Sequence, residues 1–373
     1  MRRMPSGRHG LPSVRRWVRR HLTASHFAGD RSVYAHMTEP PDHLLDDGSY
    51  APGWFVRSPS DLGLDTAVAS RRRLHQWFFL HFDSDDLFVG ANIVDLALGG
   101  NIGVIVLDKT RSDFDVTSDT GLLHRNFVAI DSSARRFEDR RTGSFIEVDE
   151  ADRRVSFRLT AGETCLAGVA EEVFARPFVQ STAFGDGLGA LQTWGNLRLV
   201  EATLTSGGVT RALPAGMLGC YDRSVGHRRW MENWNWIAAC GEVEGPDGPV
   251  PFALHAATDR DLARPKVQAD KQVLWVGEHL RKVRDLSFSY AYIDEEALLT
   301  SAWTIRSNPR APAWVDLRFQ PAHHRRDAHR VPLLFQVDHS QYFGRLDGTI
   351  GMEGQRYEVR GVYATTEDSM MMV

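Results

Sequence analysis

The feature that most limits how this chain can fold is repetition within it, at a spacing of roughly 150 residues. The segment "TWGNLRLVEATLTSGGVTRALPAGMLGCYDRS" (193–224) lies against "YFGRLDGTIGMEGQRYEVRGVYATTEDS" (342–369). Each has an aromatic–Gly pair, an alternating strand, a glycine-containing turn, a second strand, and a glycine shortly before an acid. Gly195 matches Gly344, Gly216 matches Gly361, and Asp222 falls at Glu367. A second match sets "QWFFLHFDSDDLFVGANIVDLA" (76–97) against "NWNWIAACGEVEGPDGPVPFALHAA" and its flanks. In both, an aromatic strand runs into an acidic or Gly/Pro turn and an apolar strand returns. Two copies of one β-unit, joined near 222–228, account for both matches. A barrel of about eight strands needs a unit of that size and encloses a small-ligand cavity. Two open sandwiches in tandem fit the same repeat.

The local pattern says which kind of unit repeats. After residue 70, runs such as "LHQWFFLHF", "IGVIVLD", "SFSYAYID" and "APAWVDLRFQP" are rich in β-branched and aromatic residues and broken by Asp, Gly and Asn. Turn signals every ~8–12 residues mark an all-β chain. Helical periodicity is confined to short stretches such as "DEEALL" (294–299). The Gly-rich "AFGDGLGALQTWGN" precedes a strand rather than a helix, so it lacks the helix N-terminus of a phosphate cradle and reads as a flexible loop. The domains expected are a basic arm at 1–36, with Met37 an alternative start, then barrels at 37–223 and 224–373.

Composition narrows the partners. The net charge of -4 does not point to nucleic acid, and no apolar run approaches the ~20 residues of a membrane-spanning helix. The basic N-terminus is followed by no apolar stretch of the kind a secretory signal needs. Cys165, Cys220 and Cys240 are odd in number and widely spaced, which suits a reducing compartment. A cytoplasmic protein without stable membrane insertion is expected; oligomeric state leaves no mark on the sequence.

The motifs "GMLGCYDRS", "RRWMENWNWIAACGEVEG", "QYFGRLDGTI" and "GVYATTEDS", with "PGWFVRSP" and "RRRLHQWFFLHF" nearer the N-terminus, resemble the domain-of-unknown-function family 2804 from about residue 40 to the end. That family is similar, more distantly, to tandem-lipocalin proteins that include carotenoid hydratases and polyketide cyclases. The resemblance implies two tandem lipocalin-like antiparallel β-barrels acting on, or holding, a long apolar molecule. In some relatives a His or Asp beside the Trp-rich strand matters. Here the neighbourhood reads His227-Arg-Arg-Trp-Met-Glu-Asn, which assigns an acid role to Glu232, Asp222 or His227 and departs from the carotenoid-hydrating pattern.

Alternation along an extended strand puts Trp230, Glu232, Trp234, Trp236 and Ala238 on one face and Met231, Asn233, Asn235 and Ile237 on the other. Trp77, Phe79 and His81 present the matching surface in the first copy. Such indoles either line a site for a polyene or fused-ring molecule or plug the closed end of a barrel. Ligand-binding candidates are Trp77, Phe79, Trp234, Trp236, Asn233, Tyr290 and Tyr292. A Glu232 turned into a closed apolar interior is a proton donor; beside Arg228, Arg229 or Arg345 it makes an ion pair. The equivalence of Asp222 and Glu367 points to a shared structural task, such as holding Arg223. His323, His324 and His329 in "PAHHRRDAHR" match no zinc ligand set and read as a solvated loop. No metal and no cofactor are called for. Two functions remain: an enzyme performing acid-assisted hydration, isomerisation or cyclisation of an isoprenoid- or polyketide-like molecule, and a non-catalytic carrier of a lipid or pigment.

Overall fold

A computed structural model describes residues 34–372 apart from 97–98, 123–127, 131, 260–270, 291–300 and 332–334. The N-terminal arm, the 294–299 segment and Tyr292 therefore lie outside the described residues. Among those described there are two short 3-10 turns, Leu64–Thr66 and Arg71–Arg73, and otherwise strands. The fold is all-β. No helix is long and apolar enough to cross a membrane among these residues.

Two large sheets divide the chain. The first runs in the order 113–122, 99–108, 87–95, 74–83, 218–227, 188–206, 164–172, 154–161, 144–149, 136–139, 128–130. Its first long strand, Leu74–Asp83, pairs with its last, Leu218–His227. We call these the opening and closing strands. The second sheet repeats the plan: opening strand Met231–Gly245 pairs with closing strand Gln355–Met372. It extends through Gly248–Asp259, Gln272–Val276 and His279–Lys282 on one side, and Phe335–Met352, Ala313–Val331, Trp303–Arg306 and Ser287–Ser289 on the other. The change of sheet thus falls at 228–230, a few residues past the expected junction.

Chain connectivity shows that the sheets curl. Leu122 and Val128 close the two ends of the first sheet's strand order, yet only six peptide steps separate them, about 22 Å of extended chain. Laid flat, eleven strands span about 48 Å. In the second sheet Lys282 and Ser287 close the two ends in the same way. Each sheet is a curled antiparallel half-barrel, broken after its fourth strand in both copies. The matched glycines Gly216 and Gly361 both adopt left-handed backbone (φ 83° and 60°), which a side chain resists, so the repeat carries its turn chemistry with it. Gly195 and Gly344 are less strictly equivalent: Gly195 lies opposite Tyr221, whereas Gly344 lies opposite Ala364, two places off register.

Two expected loops are strands. "PAHHRRDAHR" belongs to Ala313–Val331, and "AFGDGLGALQTWGN" forms the hairpin joining Phe178–Gly185 to Leu188–Ser206. In that hairpin Gly185, Asp186 and Gly187 all take positive φ, so the glycines serve a tight turn.

Each half-barrel fills its own interior. Phe78, Leu80 and Phe82 of the first opening strand pack with Phe137, Phe157 and Tyr221. Ile237 and Ala239 of the second pack with Trp303, Phe319 and Tyr342. A third apolar cluster joins the halves, with Trp54, Phe178 and Trp194 from the first and Trp236, Ala238 and Trp275 from the second. The indoles were expected on a barrel's inner wall. The structure turns them the other way, because the alternate residues of the same strands occupy the interiors. Trp77, Phe79, Trp234 and Trp236 stand on the seam between the half-barrels.

Candidate functional site

The seam is built from cross-strand rows. In the first half Asp222 lies directly across from Phe79 on one side and Trp194 on the other, and Ser224 lies between Trp77 and Gln192. In the second half Glu367 lies between Trp236 and Gln341, and Ser369 between Trp234 and His339. Directly opposed residues of an antiparallel pair share a face, so both rows look onto the seam. Phe79 and Trp236 meet across it edge to face, ring centroids 6.4 Å apart.

The acids anchor this arrangement. Trp77 Nε1 donates to Asp222 Oδ1 (3.1 Å), and Gln192 Nε2 donates to the same oxygen. Trp234 Nε1 donates to Glu367 Oε2 (2.9 Å), and His339 Nε2 stands 3.7 Å from Glu367 Oε1. His339 Nδ1 is 2.8 Å from Ser369 Oγ. Trp77, Phe79, Asp222, Trp234, His339 and Glu367 are each half-buried. Burial, with the nearby charge of Glu367, pushes the Asp222 carboxyl up to about 6, against the pull of the Trp77 and Trp194 indoles and of Arg228. Asp222 does not hold Arg223. That guanidinium points into the first half, donating to Ala134 O, Ser58 Oγ and Thr193 Oγ1.

The sequence profile of the family described as Domain of unknown function (DUF2804) matches residues 35–372. The chain belongs to this family. No curated protein matches it. Among solved structures, CghA in complex with Sch210972 superposes with a TM-score of 0.53 at 10% identity, covering 91% of this chain and 98% of that chain. Kievitone hydratase from Nectria haematococca gives 0.47 at 12% identity, with 94% and 97% covered. The likeness to CghA is one of fold, and it extends over nearly the whole of both chains: the DUF2804 protein is a pair of tandem lipocalin-like half-barrels.

The other residues singled out in the sequence of this DUF2804 protein take distinct places. Glu232 is buried and bound by Arg228, whose Nη1 lies 2.9 Å from Glu232 Oε2. Arg228 also donates to Ser224 Oγ and stacks its guanidinium on Trp77, 4.1 Å from the ring centroid. His227 is buried, with Nδ1 2.8 Å from the Tyr50 hydroxyl, and burial pushes the imidazole below its ordinary range. Asn233 and Tyr290 face away from the seam. Asn233 shares the side of Ile237, and the Tyr290 ring stacks on Trp303 at 4.3 Å while its hydroxyl accepts from Asn235 Nδ2. Trp230 lies outside the strand, 44% exposed, under Arg73. Gln192, Ser224, His339 and Ser369 were missed from sequence. Ser224 and Ser369 each lie two places past a matched acid, whereas the pairing of Gln192 with His339 shows only in the strand register.

Proposed function

We propose that the protein takes an apolar, isoprenoid- or polyketide-like small molecule into the seam between its half-barrels and moves a proton on it with the Asp222–Glu367 carboxyl pair. One observation carries this reading: two carboxyls, on equivalent places of the two closing strands, each receive an indole N–H and lie on the seam that also carries Phe79 and Trp236. Flat rings suit polyenes and fused rings.

Asp222 is the proton donor in this proposal. A carboxyl whose affinity for its proton has risen toward neutrality both holds the proton and releases it at the pH where the enzyme works. Delivered to a double bond or carbonyl, the proton starts hydration, isomerisation or cyclisation without a cofactor. Glu232 and His227 are committed elsewhere, to Arg228 and Tyr50, and support the wall of the site rather than its chemistry. The fold shared with CghA, whose crystals hold Sch210972, is compatible with a small molecule here. A carrier needs only the rings, and the enclosed Asp222 is what favours an enzyme over it.

Native mass spectrometry of detergent-free protein tests this directly. Wild type and Asp222→Asn are expected to retain small molecules of different mass or unsaturation, the variant holding unreacted substrate. The same molecule in both identifies a carrier. A guest still bound after Trp77→Ala with Trp234→Ala overturns the placement in the seam.

A further inference from the structure

The two acids sit in matched quartets, and one member differs in kind. Trp77, Ser224 and Gln192 surround Asp222; Trp234, Ser369 and His339 surround Glu367. Pairing fixes the equivalence: Gln192 lies across from Ser224 as His339 lies across from Ser369. Gln192 donates to its acid through an amide N–H that never leaves. The second half offers an imidazole at the same place, and an imidazole takes up and returns a proton under ordinary conditions. Both partners keep some accessible surface, 23% for the His339 side chain and 14% for that of Glu367.

We infer that His339 is the proton acceptor of the seam, its Nε2 set toward the substrate by Ser369 and its imidazolium form held by Glu367, opposite Asp222 as donor. With Nδ1–H donating to Ser369 Oγ, Nε2 is the basic nitrogen, and it stands beside the Glu367 carboxylate that stabilises its charged state. The assignment rests on the proposed function above and narrows it. Asp222 gives its proton to one carbon of a polarised double bond, and His339 takes one from a second carbon, or from the water that adds there. Asp222 is left as carboxylate and His339 as imidazolium, and transfer through solvent from His339 to Asp222 restores both. A proton shift or a hydration uses both ends of this circuit, whereas a cyclisation without proton transfer uses neither.

The charged groups facing His339 are few. On its own sheet these are Glu367 and the directly opposed Asp327, itself bound by Arg325. Across the seam, Asp222 carries the influence of Glu367 and of Arg228.

Two measurements on the full chain decide the matter. Imidazole ¹⁵N NMR should show the neutral His339 ring protonated on Nδ1, on the Ser369 side, with Nε2 bare toward Glu367. A neutral ring protonated on Nε2 overturns the pairing. Deuterium uptake from D2O into 2-tetralone, a flat enolisable ketone, should be catalysed by wild type and by His279→Gln, an exposed control. His339→Gln, which installs the amide of the first half, should reduce it about 100-fold. Equal uptake by His339→Gln and wild type overturns the role of His339. No uptake by any of the proteins counts against proton transfer in the seam as such, and the NMR result then judges the pair alone.

Discussion

The interior of each half-barrel and the seam between them are made from alternate residues of the same strands, yet they are different materials. Phe78, Leu80 and Phe82 point into the first half among aliphatic and phenyl groups. Trp77, Phe79 and His81 point to the seam, where indoles, imidazoles and carboxyls gather. The interiors are mainly apolar and hold each sheet curled, with Arg223 and the Tyr221–Glu172 hydrogen bond as buried polar exceptions in the first half. The seam gathers indoles with groups that donate, accept and carry charge, because both opening strands project their alternate residues into it. Duplication therefore produced an interface that neither copy has alone.

The contrast is sharpest at adjacent positions. Phe78→Ala empties a fully buried place inside the first half and should lower the unfolding free energy by about 3–5 kcal/mol. Phe79→Ala, on the partly open seam, should lower it by less than half as much in the same denaturant titration. Equal losses would break the distinction between interior and seam. Next in size is the bridge that locks the two quartets in place. Arg228 and Glu232 are 1% and 5% exposed, and Arg228→Met leaves Glu232 buried without its counter-charge, at a cost of about 3 kcal/mol. Adding Glu232→Leu should recover much of it, since an apolar pair of similar volume needs no counter-charge.

Asp222 works in the opposite direction, and the sign can be followed through pH. In the unfolded chain its carboxyl has an ordinary affinity near 3.8, and in the fold it is pushed up to about 6. Between those values the folded protein holds a proton that the unfolded chain has released. Asp222's contribution is thus complete below about pH 4 and is lost as pH rises through about 6, a difference on the order of 2–3 kcal/mol. Asp222→Asn should flatten that slope and raise stability above pH 7 by about 1–2 kcal/mol, while the same substitution removes the proposed proton donor. A variant with an unaltered pH slope would show that the crevice does not burden this acid.

Much of this was legible beforehand, for identifiable reasons. A duplicated strand pattern and left-handed turn glycines are local properties, so Gly216 with Gly361 and Asp222 with Glu367 could be matched from sequence. Alternation separated Trp234 and Trp236 from Asn233 and Ile237 correctly. It could not say which face was inside, because both faces of the opening strands are apolar: Phe78 and Phe79 look alike until something packs against them. The Gln192/His339 exchange was hidden for another reason. It depends on which residues of the penultimate strands lie opposite Ser224 and Ser369, a long-range register, and the glycine match there slipped by two places. Arg228 was named as a partner for Glu232, but its stacking on Trp77 required the whole seam.

The smallest expected effect lies at a second bridge between the halves. Arg345 reaches from the second half to Asp85 of the first at 3.2 Å and lies over the Tyr363 ring, which Lys109 also approaches. Like Arg228–Glu232 it joins the two copies, but Arg345 and Asp85 remain in water, 48% and 84% exposed. Solvent already stabilises both charges and salt screens them, so little is lost when they part. Arg345→Ala should leave the denaturation midpoint within experimental scatter, and raising the salt concentration should move the wild type no more than the variant. A clear loss of stability in Arg345→Ala would mean that the two half-barrels depend on their surface clasp as much as on their buried one, and the seam would then be a hinge rather than a fixed wall.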